Sequence, residues 1–387
     1  MPAISLNRRS FLGLTGATAI VLTAGGGAFI MTRSPTAAIA PWAAAGGKYA
    51  DPRLRAVSYA ILAPNPHNRQ PWIVDLRTDG EVQLLCDTGR LLPKTDPRNR
   101  QIVIGLGCFL ELLRLAAGAD GYRLDVDEFP EGVSEANIDG RPIARVRFVK
   151  SDEISADPLF DQIVRRRTNK EPFDMALPVR DSDLQALAAA GQGSVAVGTT
   201  SASNDVARLR DLTWRAHLTE IMTPRTALES VRLMRIGKSE IEANPDGIDL
   251  GGAFLETMNR VGILTRQELA DPESSAFQQG LEMYREITGT AMGYVWLTTE
   301  GNSRRQQLAA GRAWVRINLK STELGLGLHP LSQSLQEYAE VKPHLDEVHD
   351  TLGARPGQRI QMLGRLGYGA EVAPSPRWPL ETRIREM

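Results

Sequence analysis

The chain has 387 residues, 42% of them apolar, with 45 basic against 46 acidic side chains. That is enough apolar residue for one large domain or two ordinary ones, and the near-neutral balance offers no basic excess of the kind that holds nucleic acid. Cys86 and Cys108 are the only cysteines and no spaced ligand set accompanies them, which argues against a structural zinc site.

Residues 1–40 differ in kind from the rest. Arg8-Arg9-Ser10-Phe11-Leu12 precedes the Gly/Ala-rich apolar run GLTGATAIVLTAGGGAFIM, and Ala38-Ile39-Ala40 supplies a small-x-small cleavage site. Together these read as a twin-arginine export signal. Phe11 to Met31 is also just long enough to span a bilayer, so a plain N-terminal membrane anchor is the alternative. Either way the mature domain is expected outside the cytoplasm, periplasmic or attached to the outer side of the cytoplasmic membrane. The twin-arginine route carries folded proteins, which suits a protein loaded with a cofactor before export.

Asp51-Pro52 reads as an N-cap and first helical residue, with Leu54, Val57, Ile61 and Leu62 as an apolar stripe at helical spacing. That helix leads into PNPHNRQPW, Pro64 to Trp72. Pro64, Pro66 and Pro71 fix φ and hold the residues before them extended. Asn65, Asn68 and Gln70 each carry a donor and an acceptor. Three amides on a stiff loop can match a flat heterocycle whose edge alternates acceptors and N–H donors, such as a flavin pyrimidine; the bland alternative is a polar helix-to-strand connection. WIVDL and VQLLCD are predicted as strands around Thr78-Asp79-Gly80. Residues 101–117 are predicted as a buried helix, apolar nearly all round, and 144–150 as a strand. GLG at 105–107 lacks a strand–GxGxxG–helix context and reads as helix packing.

Asp157-Pro158 predicts a further helix, with Leu159, Phe160, Ile163 and Val164 on one face and three arginines at its end. Arg165, Arg166, Arg167, Thr168 and Lys170 are suited to a phosphate, because guanidinium forks grip its oxygens in pairs and a hydroxyl adds a short bond. Taken alone, the cluster reads more readily as the solvated basic end of a helix. Helices are predicted at about 181–191 and 204–222. Residues 225–290, broken by Asn244-Pro245-Asp246-Gly247 and Asp271-Pro272, read as helices and loops forming either a lid or an ordinary insertion. A second long buried helix covers 304–324, followed by a strand in RIQMLGRLGYG and a Pro-rich tail. His344 and His349 in HLDEVH fall on different faces of a helix, so no metal site is expected there. A shift of 204 residues aligns the two buried helices, Gly107 with Gly311, Leu113 with Ile317, Leu115 with Leu319 and Gly121 with Gly325, which suggests an internal repeat.

PNPHNRQPW resembles the flavin-contacting loop of nitroreductase-like FMN proteins, with Asn65 and His67 in place of the usual serines. RRTNK resembles the family's phosphate-binding Arg-Arg-Ser-x-Arg element, Thr168 standing for the serine and Lys170 for the last arginine. GLGLHPLSQ resembles the segment whose backbone approaches flavin N5, aligning Pro330, Leu331, Ser332 and Gln333, with Ser332-Gln333 replacing an acidic-Gly pair. Arg377 matches a C-terminal basic residue that reaches the phosphate, or else is a solvated tail arginine. The resemblance spans about 51–385 and is nearest the Acg-type branch. It implies an α+β nitroreductase-like fold whose two fused halves form a pseudo-dimer within one chain, with central antiparallel-rich sheets flanked by helices. The implied division is 1–40 signal or anchor, 41–155 first half, and 156–387 second half with the possible lid. Each site element occurs once, so one FMN site per chain is expected, holding Pro64, Asn65, His67, Asn68 and Gln70 from one half and the remaining residues from the other. The implied activity is two-electron transfer through the flavin to a small aromatic, quinone or nitro acceptor, with no catalytic side chain and with a quinol or redox protein as candidate donor. The alternative is a non-catalytic FMN-storage protein. A monomer acting as a pseudo-dimer, with a possible N-terminal membrane tether, is expected.

Overall fold

Asp51 does cap a helix: its carboxylate accepts from the Arg53 amide, and Pro52 starts the first turn. The computed structural model describes residues 33–191 and 193–385; the twin-arginine motif and the apolar run lie outside the described residues. In chain order the first part holds α1 (Thr36–Ala44), α2 (Pro52–Ala60), β1 (Trp72–Asp75), β2 (Glu81–Cys86), α3 (Arg100–Ala119), β3 (Tyr122–Glu128) and β4 (Ala144–Lys150). Then come α4 (Asp181–Ala190), β5 (Ala196–Thr200) and α5 (Ser203–Met222). The expected insertion contains α6 (Pro224–Leu233), β6 (Met234–Ile236), α7 (Gly237–Ala243), β7 (Ile248–Leu250), α8 (Ala253–Arg260), α9 (Arg266–Ala270) and α10 (Ser275–Gly289). The chain closes with β8 (Gly293–Thr299), α11 (Arg304–Glu323), β9 (Gly327–Pro330), α12 (Lys342–Thr351) and β10 (Arg359–Gly367).

The fold is α+β, with two four-stranded antiparallel sheets ordered β1-β2-β4-β3 and β5-β8-β10-β9. In each, a long buried helix (α3 or α11) leads directly into an edge strand (β3 or β9). One apolar core runs from Trp72 and Leu84 through α3 and α11 to Val295 and Leu366. α3 is apolar enough to cross a membrane, but its side chains are buried in protein.

The repeat seen in the sequence is a pseudo-twofold contact. A Cβ on Gly107 would lie 2.2 Å from the Leu308 carbonyl oxygen, and one on Gly311 would lie 2.0 Å from that of Ile104. Residues 107 and 311, and 104 and 308, are each 204 positions apart, so the same contact is made twice with roles exchanged, as at the interface of a symmetric dimer. Arg100 and Arg304, also 204 apart and both buried, behave alike. Arg100 donates across to the Gln361 and Leu335 carbonyls at 2.6 and 2.8 Å, and Arg304 donates back to those of Ser134 and Glu135 at 3.2 and 3.1 Å. The C-terminal arm returns to the first sheet, where Ile384 bridges Val74 and the Arg385 amide donates to the Val74 carbonyl at 2.8 Å.

One expected element is different. The stretch after Asp157 is a short 3₁₀ turn, Pro158–Gln162, and not an α-helix ending in three arginines. Arg165–Arg167 therefore do not cap a helix; they leave the turn as irregular chain and are free to diverge.

Candidate functional site

The amide loop is strained. His67, Asn68 and Gln70 have φ of 45°, 48° and 49°, a left-handed conformation that costs non-glycine residues energy and that clusters at binding sites. The loop is seated on α3, where a Cβ on Gly105 would meet Asn65 Cβ at 3.1 Å and Pro66 Cδ at 3.3 Å. Pro64 and Pro66 keep their expected stiffening places, and Asn65 is extended at φ −156°.

The amide loop and the arginine cluster meet at the C-terminal end of α2. The Leu62 carbonyl accepts from both Arg166 Nη2 and Arg377 Nη2, each at 3.1 Å. Arg377 also donates to the carbonyls of Ile61 and Ala63, at 3.0 and 3.1 Å, and through Nη1 to Asn68 Oδ1 at 2.8 Å. A helix C-terminus leaves carbonyls unpaired and carries partial negative charge, which explains how a buried guanidinium is tolerated here. Arg166 completes the junction by donating to Asn318 Oδ1 on α11 at 2.9 Å.

Trp42 of α1 lies in the middle of this cluster. The guanidiniums of Arg166, Arg167 and Arg377 sit 5.5, 4.8 and 5.2 Å from its ring, within cation–π range. Among the described residues, the hydrogen-bond partners of these three arginines are all neutral oxygens; Glu371 and Asp249 act on Arg167 and Arg377 only at longer range. Burial, then mutual repulsion, lowers the Arg166 pKa to about 10 and takes that of Arg377 well below its ordinary value. Arg166 Nε is buried without a partner. A concentration of positive charge lacking a carboxylate counter-ion is the setting in which a phosphate is stabilising.

The third element is next to the second. The Asn169 amide donates to the Leu328 carbonyl of β9 at 3.1 Å, placing the arginine segment beside Pro330–Gln333. Leu331 is buried and its amide donates to Leu363, while Ser332 and Gln333 are half-buried. Lys170, exposed, acts electrostatically on both His67 of the amide loop and His329 before Pro330. Burial, then Lys170, lowers the His67 pKa to about 4, so this imidazole is neutral at pH 7, with Nδ1 buried and unpartnered. Behind the segment is a polar and aromatic wall. His217 stacks on Tyr284 at 3.5 Å between centroids, Tyr284 meets His329 edge-on at 6.3 Å, and Arg365 donates to His329 Nδ1 at 3.0 Å.

Several predicted residues are already engaged within the protein. Asn65 Oδ1 accepts from the Gln70 amide at 2.7 Å, Asn68 Nδ2 donates to Pro376 at 2.9 Å, and Gln70 uses both amide ends, donating to Pro245 at 2.7 Å and accepting from Trp378 at 2.9 Å. Asn68 and Gln70 thus brace the loop against the insertion and the C-terminal arm, instead of offering a free edge. Arg377 is a buried clamp and not a solvated tail residue. Arg165, Thr168, Lys170, Ser332 and Gln333 remain at least partly accessible. Trp42 and Asn318 are the residues that sequence reasoning missed. The only hint of Trp42 was a lone indole in PWAAAGG with no apolar stripe to join, and nothing in the sequence marked Asn318 out from the rest of its helix.

No family model matches the chain. Over 354 residues it is 25% identical to an uncharacterized protein of Mycobacterium tuberculosis, covering 85% of this chain and 92% of that protein. Over 120 residues it is 33% identical to the M. tuberculosis protein provisionally named NAD(P)H nitroreductase acg, covering 30% of this chain and 34% of that one. Among solved structures, the FMN-dependent nitroreductase NfnB from Mycobacterium smegmatis in complex with NADPH superimposes with a TM-score of 0.36 at 17% identity, covering 58% of this chain and 96% of that one.

Proposed function

We propose that the chain is an FMN-dependent oxidoreductase of the nitroreductase-like class, with one flavin site assembled across the two halves. The observation that carries this reading is the junction at Leu62. There the amide loop, the arginine segment and the C-terminal arm, more than 90 residues apart from one another in sequence, converge on one helix end around uncompensated positive charge. The resemblance of all three segments to one family's site and the partial identity to a provisionally named nitroreductase support it.

When bound, the flavin would supply two-electron transfer to a small acceptor. The chain's residues would hold and orient it. Arg165, Thr168 and Lys170 would grip the phosphate, with Arg166 Nε as a buried donor and Arg377 fixing the helix end and loop. Neutral His67, within electrostatic reach of Lys170, would offer a ring nitrogen, and Ser332-Gln333 would supply further donors. An FMN-storage role is the second reading. It is favoured by the insertion, whose Pro245 carbonyl takes the Gln70 amide and whose Gly247 amide donates to Asn68, closing the turn at 244–247 over the loop.

Arg165→Ala with Lys170→Ala tests the phosphate assignment, because both side chains are exposed and their loss leaves the core intact. The double variant is expected to bind FMN at least about tenfold more weakly with an unchanged melting temperature, each lost charge-assisted contact being worth roughly 1.5–3 kcal/mol. Wild-type FMN affinity in the folded variant would refute the assignment.

A further inference from the structure

We propose that the apolar run at 11–31 stays attached to the folded domain as a membrane anchor, and that the turn at 261–264 is a second contact of the domain with the same bilayer. Val261 and Ile263 are 61% and 53% exposed, two large apolar side chains at the tip of one turn. The turn follows α8, and α8 is where the chain emerging from the apolar run is fastened: Arg33, two residues past Met31, donates to Glu256 Oε1 at 2.9 Å. From Glu256 to Val261 the helical rise is only about 7.5 Å. The exposed apolar tip therefore lies close to the point where an anchor of bilayer-spanning length would surface.

The charges around the tip are largely cancelled within the protein. Arg266 pairs with Glu240 and Lys238 with Glu242, while Arg260 shares Glu256 with Arg33. The contact offered is consequently apolar, suited to the boundary of headgroups and acyl chains, and not a basic patch that needs anionic lipid.

Retention of the anchor follows from α1. The small-x-small site Ala38-Ile39-Ala40 is inside this helix; Ala38 is buried, and its carbonyl accepts from the Arg377 amide at 2.8 Å. Two residues later the Trp42 indole donates to the Ser375 carbonyl at 2.8 Å. Proteolytic cleavage requires exposed, locally unfolded chain, and a protein exported already folded would present this site as packed helix.

The test uses the full chain in phosphatidylcholine vesicles. Val261→Cys and Ile263→Cys are labelled with an environment-sensitive fluorophore, alongside Arg123→Cys on β3; native Cys86 and Cys108 are buried and do not compete. A blue-shifted emission at 261 and 263, quenched by nitroxide-bearing lipid, unchanged by added anionic lipid or salt and absent at 123, is the expected result. Water-like emission at 261 and 263, equal quenching at 123, or a blue shift without lipid quenching (the sign of a second copy or another protein on the turn) would each overturn the bilayer contact. Intact mass of the protein recovered from membranes reads the anchor directly. A chain still containing residues 11–31 is expected, and one beginning at Pro41 would overturn retention.

Discussion

Glu220 shows how a single buried group shapes stability. Its carboxylate is enclosed behind the Ser332–Gln333 segment and accepts from Gln336 Nε2. Burial raises its pKa from 4.5 to about 7, and the Gln336 and Gln333 contacts only partly oppose this. The folded state therefore keeps its proton after the unfolded chain has lost it, so the stabilisation present below pH 4.5 is lost as pH rises through about 7. A shift of this size corresponds to roughly 3 kcal/mol. Glu220→Gln removes the titration, and its variant is expected to gain stability over wild type at pH 8 relative to pH 4, by an amount on that order, in denaturant melts. Parallel pH profiles for the two proteins would contradict the account. His67 moves in the opposite sense: its lowered pKa adds a loss of stability as pH falls from 6.5 towards about 4.

At the scale of elements, the glycine pair on α3 and α11 carries the strongest prediction. Gly107→Ala and Gly311→Ala each drive a methyl to within 2.2 or 2.0 Å of a backbone carbonyl that cannot rotate away. Each is expected to cost about 1–3 kcal/mol by overpacking. The two glycines face each other, so the double variant should cost less than the sum, because one separation of the helices relieves both clashes. Additive losses in chemical denaturation would count against the pseudo-twofold contact. α3 was legible in the sequence because it is buried nearly all round and reads as an apolar run, and α11, which carries several arginines, was legible from its alignment with α3 and from Gly325 and Gly327 that stop it. The β1–β2 hairpin was legible from its alternation and its turn. β3 and β5 to β9 were not: β3 alternates half-buried with exposed residues, β5 is Gly/Thr-rich, β6, β7 and β9 are only three or four residues long, and β8 was missed although GYVWLTT is rich in β-branched and aromatic residues. The amide loop and the arginine segment were legible as unusual clusters of chemistry. Their partners were not, because Leu62 and Pro245 act through carbonyl oxygens that every residue possesses.

At the scale of the molecule, the duplication accounts for the fold and is the reason a single site per chain is proposed. Two similar sheets pack through related helices, while only the first part carries the amide loop and only the second the arginine segment. The C-terminal arm ties them together, crossing back to pair with Val74 and bringing Arg377 to the loop. A chain that already contains its own pseudo-dimer interface is expected to sediment as a monomer in detergent. The central claim is that one flavin site is built across the two halves. It is tested most directly by the visible spectrum and FMN content of the purified full-length protein, reconstituted with FMN if isolated colourless. The account predicts flavin absorbance bands at one FMN per chain. Two FMN per chain would show that each half carries its own site, and a protein that neither retains nor takes up FMN would contradict the account.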